Sequence, residues 1–231
     1  MADEQNTDRP AHASDTHTED PRLHEGVSQM DSSPDEVCRI VLIAAARLLA
    51  YPASPARAAL AEIAAALRQL PASDATAMLA DVARRLLAMD LVELETRYVA
   101  TFDFNEATAL YLTAHELQDS RRRGQALVEL RSLLRASGFE EVTDELPDYL
   151  PLLLEFVAYA PPAVPSQPVK QRLAAVCARI RTAISEDNPY REVFVALLDV
   201  LPQPAQPNSE QSFPDREQAD TGEMPYPLRY D

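Results

Sequence analysis

The sequence predicts an all-α fold: a single helical bundle of about eight or nine helices flanked by disordered acidic tails. Three observations carry that prediction. No stretch alternates apolar and polar residues over a strand's length, the central region holds only Gly124 and Gly138, and no Asn-Gly or Asp-Gly hairpin signal occurs. Apolar residues instead recur at three- and four-residue spacing. Prolines fall between these periodic runs, where they punctuate helices rather than dissolve them.

Taken in order, Ser33-Pro34 caps a first helix whose apolar face carries Val37, Ile40, Val41, Ala44, Leu48 and Leu49 before Pro52 stops it. SPARAALAEIAAALRQLP (54–71) opens on a Ser-Pro start signal and ends at Pro71. SDATAMLADVARRLLAMD (73–90) starts at Ser73 and spaces Met78, Val82, Leu86 and Met89 helically, with a turn before LVELETRYVATF (91–102). NEATALYLTAHEL (105–117) reads as one helix. In DSRRRGQALVELRSLLRASG (119–138), Leu127, Leu130, Leu133 and Leu134 form the stripe and Gly138 sits where a left-handed C-terminal cap belongs.

Pro147 is expected to open the next helix, which ends near Pro161-Pro162. With Asp148 as its N-cap, Pro151 falls at N3, where its missing N–H has no intrahelical partner to lose. The carboxylate then meets the positive end of the helix, and the stretch reads either as a cap and nothing more or as a surface feature with the Tyr149 ring partly exposed. QPVKQRLAAVCARIRTAI (167–184) and NPYREVFVALLDVL (188–201) complete the set.

Charge divides the chain further. Net charge is −16, yet residues 1–36 hold ten acids against Arg9 and Arg22, and 202–231 hold six against Arg216 and Arg229. Residues 37–201 hold 21 acids and 17 bases, close to balance. We therefore read 1–33 as a disordered acidic arm, 34–201 as the helical domain, and 202–231 as a disordered Pro-rich acidic tail. Within that tail MPYPLRYD (224–231) is more apolar, either a docking peptide or nothing. Such a balance argues against nucleic acid or anionic lipid as a partner. With neither a secretory signal nor an apolar run of about 20 residues, a cytoplasmic protein without membrane insertion is expected.

Chemistry is sparse. Cys38 and Cys177 lack CxxC spacing and read as small buried apolar residues. His115 is the one histidine outside the tails, with no second ligand nearby for zinc. No Glu-x-x-His pair, Gly-rich phosphate loop or Gly-x-Ser-x-Gly elbow occurs, so no catalytic residue, metal or cofactor is assigned. Arg121-Arg122-Arg123 opposes the dipole of the helix it begins. It reads either as a solvated helix start or as an anchor for carboxylates, internal ones such as Asp103 or Asp148 or those of a bound polypeptide. An enzyme with a dispersed site around His115 and a helical transcriptional regulator are the competing classes; the latter lacks a basic recognition helix.

Three stretches in this order resemble the NarJ family, the delta-subunit chaperones that assemble molybdenum-containing respiratory nitrate reductase. They are Tyr98 to Asp103 (YVATFD), Leu110 to His115 followed by Ser120 to Ala126 (SRRRGQA), and Glu145 to Leu152 (ELPDYLPL). The likeness covers roughly 37–200. It implies an all-helical chaperone that binds the N-terminal segment of the immature catalytic (alpha) subunit. Such a protein keeps its client open for the molybdopterin guanine dinucleotide cofactor, delays membrane docking, and leaves before the enzyme is complete. On this resemblance the client-binding residues are Asp103, Tyr111, His115, Arg121, Arg123, Gln125, Glu145, Asp148, Tyr149, Leu150 and Leu153. Tyr149, Leu150 and Leu153 would wall an apolar groove, with Asp148, Arg121 and Arg123 at its polar rim. Two segments depart from the family. Phe104-Asn105-Glu106 replaces basic residues, and Glu116-Leu117-Gln118-Asp119 replaces a segment that usually carries a histidine and a glycine.

Overall fold

Nine α-helices and one 3-10 turn form among the residues described by this computed structural model, which are 34–53, 56–70, 73–139, 145–161 and 163–203. In chain order they are α1 (Pro34–Leu49), α2 (Ala56–Leu67), α3 (Asp74–Leu87), α4 (Leu91–Phe102), the 3-10 turn Glu106–Thr108, α5 (Leu112–Leu117), α6 (Arg122–Ala136), α7 (Leu150–Tyr159), α8 (Gln167–Ala183) and α9 (Tyr190–Val200). The all-α expectation holds. The expected arm over 1–33, the tail from 204 onward, and the start signals at Ser33 and Ser54-Pro55 lie outside the described residues.

Local sequence sets most boundaries. Ser73 accepts the Thr76 N–H at 3.2 Å while the Thr76 hydroxyl accepts the Ser73 N–H at 3.0 Å, a reciprocal cap that starts α3. Asp90 caps α4 through the Glu93 N–H at 2.8 Å, which makes the expected turn between the two helices. Gly138 takes φ +84°, and its N–H and that of Phe139 return to the Arg135 and Leu134 carbonyls, each at 3.0 Å. This closure sends the Phe139 ring edge-on to Phe156, centroids 5.2 Å apart.

Packing follows the apolar stripes. α1 lies chiefly on α7 and α9, α3 on α2 and α9, and α8 on α9. Leu42, Leu49, Leu79, Leu86, Phe156 and Phe194 are fully buried among them. Each is worth about 1.5–3 kcal/mol by transfer from water. α6 is the looser element: Leu130 and Leu134 are buried, Leu127 and Leu133 only partly, and Val128 is exposed. Cys177 is buried and Cys38 half-buried, as expected of small apolar residues.

Two boundaries differ from the sequence reading. Residues 105–117 do not form one helix, because Leu112 N–H donates to the Asp148 carbonyl and Leu150 N–H to the Leu110 carbonyl, each at 2.9 Å. That antiparallel bridge between Tyr111 and Tyr149 holds 109–111 extended, and tertiary pairing overrides local helix propensity. Pro147 does not open α7 either. The helix starts at Leu150 with Tyr149 as N-cap, which puts Pro151 at N2 rather than N3. The missing N–H still falls in the first turn, where no intrahelical partner exists.

Candidate functional site

The Asp148 carboxylate caps a helix, but not its own. It is fully buried, and its Oδ2 accepts the Thr113 main-chain N–H at 3.1 Å and the Thr113 hydroxyl. Thr113 is the second residue of α5, whose N-cap Tyr111 offers no side-chain bond. A carboxylate from 35 positions downstream therefore satisfies an orphan donor at the positive end of α5. Arg123 completes the clasp: its Nε donates to the Thr113 hydroxyl at 3.1 Å, and its guanidinium stands 4.0 Å from Asp148 Oδ2. Of the two readings of the arginine run, the internal anchor describes Arg123. Asp148 Oδ1 is buried without a hydrogen-bond partner among the described residues.

This geometry corrects three expected roles. Asp148 is inside the protein, not on a rim, and Leu150 and Leu153 are fully buried, so neither walls an open groove. Their burial is the ordinary consequence of the apolar run that α7 presses against α1.

Tyr149 marks the surface end of a line of rings. Its hydroxyl lies 3.2 Å from that of Tyr98, and Tyr98 donates to the Leu49 carbonyl at 3.1 Å. Burial, reinforced by this mutual contact, pushes the Tyr98 phenol far above its ordinary range. Tyr111 packs on Tyr149 at 5.6 Å and donates to Glu145 at 3.2 Å; burial first, then that carboxylate, raises its phenol to about 12. On the other side Tyr98 meets Tyr51 edge-on at 5.3 Å and Tyr190 at 6.1 Å. Both of these line an open apolar depression of about 150 Å³, together with Leu48, Pro52, Leu60 and Ile63. Tyr51 is 49% exposed, and Arg47 at the same depression pairs with Glu155 at 3.2 Å. A larger cleft of about 550 Å³, between α4 and the α8–α9 connection, has polar walls that include Glu93, Arg97, Thr101 and Asn188. The apolar surface open to a partner's side chains is thus at Tyr51, not at Leu150.

The remaining expected residues are dispersed. Asp103 is exposed at the C-terminus of α4, beside Phe104, which is 85% exposed. Arg121 is the exposed N-cap residue of α6, and Gln125 donates to Glu129 at 3.0 Å on that helix's exposed face. His115 is half-buried, with Nε2 2.7 Å from the Ala109 carbonyl and its own carbonyl accepting from Arg179 at 2.7 Å. Burial lowers its pKa, outweighing the Ala109 contact. Among the described residues no cluster of three His, Cys, Asp or Glu side chains forms a metal site.

The departing segment 116–119 is used structurally. Glu116 grips Arg172 of α8 through two bonds of 2.8 and 2.6 Å, tying α5 across the bundle. Gln118 ends α5 at φ +50°, ψ −135°, a conformation that favours glycine. By contrast, Phe104, Asn105 and Glu106 all face solvent.

Sequence reading did not single out Tyr51, Pro52, Ile63 and Tyr190, which line this depression. Tyr51-Pro52 signalled a helix stop and nothing more, because what makes it a wall is the approach of α2, α4 and α9. Tyr98 lay within a quoted motif but carried no assigned role.

Residues 52–196 match the family model of the nitrate reductase delta subunit. The chain is 31% identical over 163 residues to the probable nitrate reductase molybdenum cofactor assembly chaperone NarJ of Bacillus subtilis (strain 168), covering 71% of this chain and 89% of that one. It is 34% identical over 116 residues to NarJ of Escherichia coli (strain K12), covering 50% of this chain and 49% of that protein. A further relative in the same strain, the probable assembly chaperone NarW, is 32% identical over 119 residues, half of each chain. Among the described residues no helix is long and apolar enough to cross a membrane. A family match across most of the helical region, with the Bacillus protein aligned over nearly its whole length, places the chain in the nitrate reductase delta subunit family.

Proposed function

We propose that this protein is an assembly chaperone for respiratory nitrate reductase, not an enzyme. It binds the N-terminal segment of the immature catalytic subunit in the cytoplasm, keeps that subunit receptive to the molybdenum cofactor and delays its membrane docking. The relatives named above are molybdenum cofactor assembly chaperones of nitrate reductase, which supports the general role. The observation that carries the finer reading is the half-exposed Tyr51 over an apolar depression backed by the Tyr98–Tyr149 hydroxyl pair. An amphipathic client helix seats one or two apolar side chains there, the helix-in-groove mode. Its flank meets Tyr111 and Glu145, which adjoin Tyr149.

Titration calorimetry with a synthetic peptide of the catalytic subunit's N-terminal segment tests this. Tyr51→Ser and Ile63→Glu are expected to weaken binding at least about tenfold, the size of a single interface hot spot. The control Val128→Glu, on the exposed face of α6, should bind as the parent does. Equal affinity in all three folded variants would remove the depression from the mechanism, and no binding by the parent would remove the client.

A further inference from the structure

We infer that the apolar depression around Tyr51 is also the docking site of residues 224–231 of this same chain, so that the segment competes with the client. The regulatory half of this inference rests on the depression being the client site; the docking half does not. MPYPLRYD concentrates Met224, Tyr226, Leu228 and Tyr230 after 20 residues, 204–223, in which Phe213 is the one large apolar side chain. Alternation of Pro225 and Pro227 with apolar residues favours an extended, polyproline-like strand. Such strands dock in shallow grooves walled by aromatic rings because little chain entropy remains to be lost. Tyr51 is the exposed aromatic wall, the buried Pro52 and Tyr190 back it, and the partly buried Ile63 gives an apolar floor over Leu60. The exposed Arg47 stands where an acidic flank such as Asp231 is welcome.

Reach favours docking within one molecule. Tyr190 begins α9 and Val200 ends it, so the chain leaves the helix about 16 Å from the depression's Tyr190 wall. A coil of 20 residues has a root-mean-square span of about 25 Å. Span and distance are comparable, and the effective concentration of the segment at the site is of millimolar order. A segment whose intrinsic dissociation constant is about a quarter of that concentration then occupies the site about four-fifths of the time and weakens client binding about fivefold. It yields to a client of micromolar affinity, which makes it a guard against weak, non-cognate peptides.

The test compares the full-length chain with full-length Tyr226→Ala/Tyr230→Ala. Amide hydrogen exchange around 47–53 and 59–63 should be slower in the parent, and independent of protein concentration. The double variant should bind the client peptide about fivefold more tightly, and a free peptide of residues 223–231 should restore the slow exchange. Identical exchange in the two proteins, or a free peptide that protects nothing, overturns the docking. Concentration-dependent protection overturns the intramolecular occupant in favour of a second copy. Protection without any change in client affinity overturns the competition alone and removes the client from this depression.

Discussion

Replacing Asp148 with alanine separates the two roles this residue was open to. Inside the protein, the carboxylate caps α5 through the Thr113 N–H, accepts the Thr113 hydroxyl and faces Arg123. Alanine leaves a buried N–H unpaired, about 1–3 kcal/mol, in addition to a cap loss of about 0.5–2 kcal/mol, and the two overlap. Arg123 keeps 28% of its side chain in water, so its lost ion pair adds little. Relief of the unpartnered Oδ1 offsets part of the loss. The expected destabilisation is about 3 kcal/mol, or about 6–12 °C in melting temperature for a domain of this size. Calorimetric melting and urea titration measure it. Asp148→Asn, which keeps an acceptor and loses the charge, should fall between parent and alanine. A double-mutant cycle with Thr113→Val should return a coupling of at least about 1 kcal/mol. Client affinity of the folded Asp148→Ala fraction should stay within about twofold of the parent. A stable Asp148→Ala that has lost client affinity would refute this reasoning and return the residue to a binding rim.

Three further expectations follow from the same region. Gln118→Gly relieves the strained end of α5 and should stabilise by about 0.5–1 kcal/mol after glycine's extra unfolded-state entropy, read as a higher urea midpoint at unchanged slope. Glu116→Gln loses the charge of a forked, half-buried bond to Arg172 and should destabilise by about 1 kcal/mol, a difference that shrinks in 1 M salt. His115 has its folded-state pKa lowered by burial below the ordinary 6.5. As pH falls through about 6.5 the unfolded chain takes up the proton first, so stability declines from there down to the folded-state value. His115→Gln should flatten that decline between pH 7.5 and 5.5, and an unchanged slope would show that other groups carry it.

Legibility tracked the range of the interactions. Ser73, Asp90 and Gly138 act on residues within five positions, and their helix ends were readable or nearly so. The break at 109–111 was not, because nothing local opposes a helix through Ala109, Leu110 and Tyr111; the opposing bonds come from 148–150. Asp148 failed for the same reason. A carboxylate before a helix is a good cap by proximity, and only the fold shows a nearer donor on α5. The site residues divide similarly. Family motifs hold Tyr98, Tyr111, Asp148 and Tyr149, which the fold brings together, yet polarity within a motif did not say whether a side chain faces outward or holds two elements together.

That division bears on how a client is recognised. Tyr98, Asp148 and Arg123 occur in three separate motifs, and all three reach the same small region behind Tyr149. Their hydrogen bonds fix where Tyr149 stands, Tyr149 and Tyr98 share the Leu49 carbonyl, and Leu49 is two residues from Tyr51. If the protein grips and later releases a client peptide as proposed, it needs a wall that is rigid before the peptide arrives, since ordering it on contact would subtract from affinity. On this account the motif residues act through position rather than contact. Loosening them, as in Tyr98→Phe, should slow or weaken client capture by mobilising Tyr51, with faster amide exchange at 49–53 as its signature. Loss of client affinity with that exchange unchanged would instead mean that the Tyr98 hydroxyl meets the client itself.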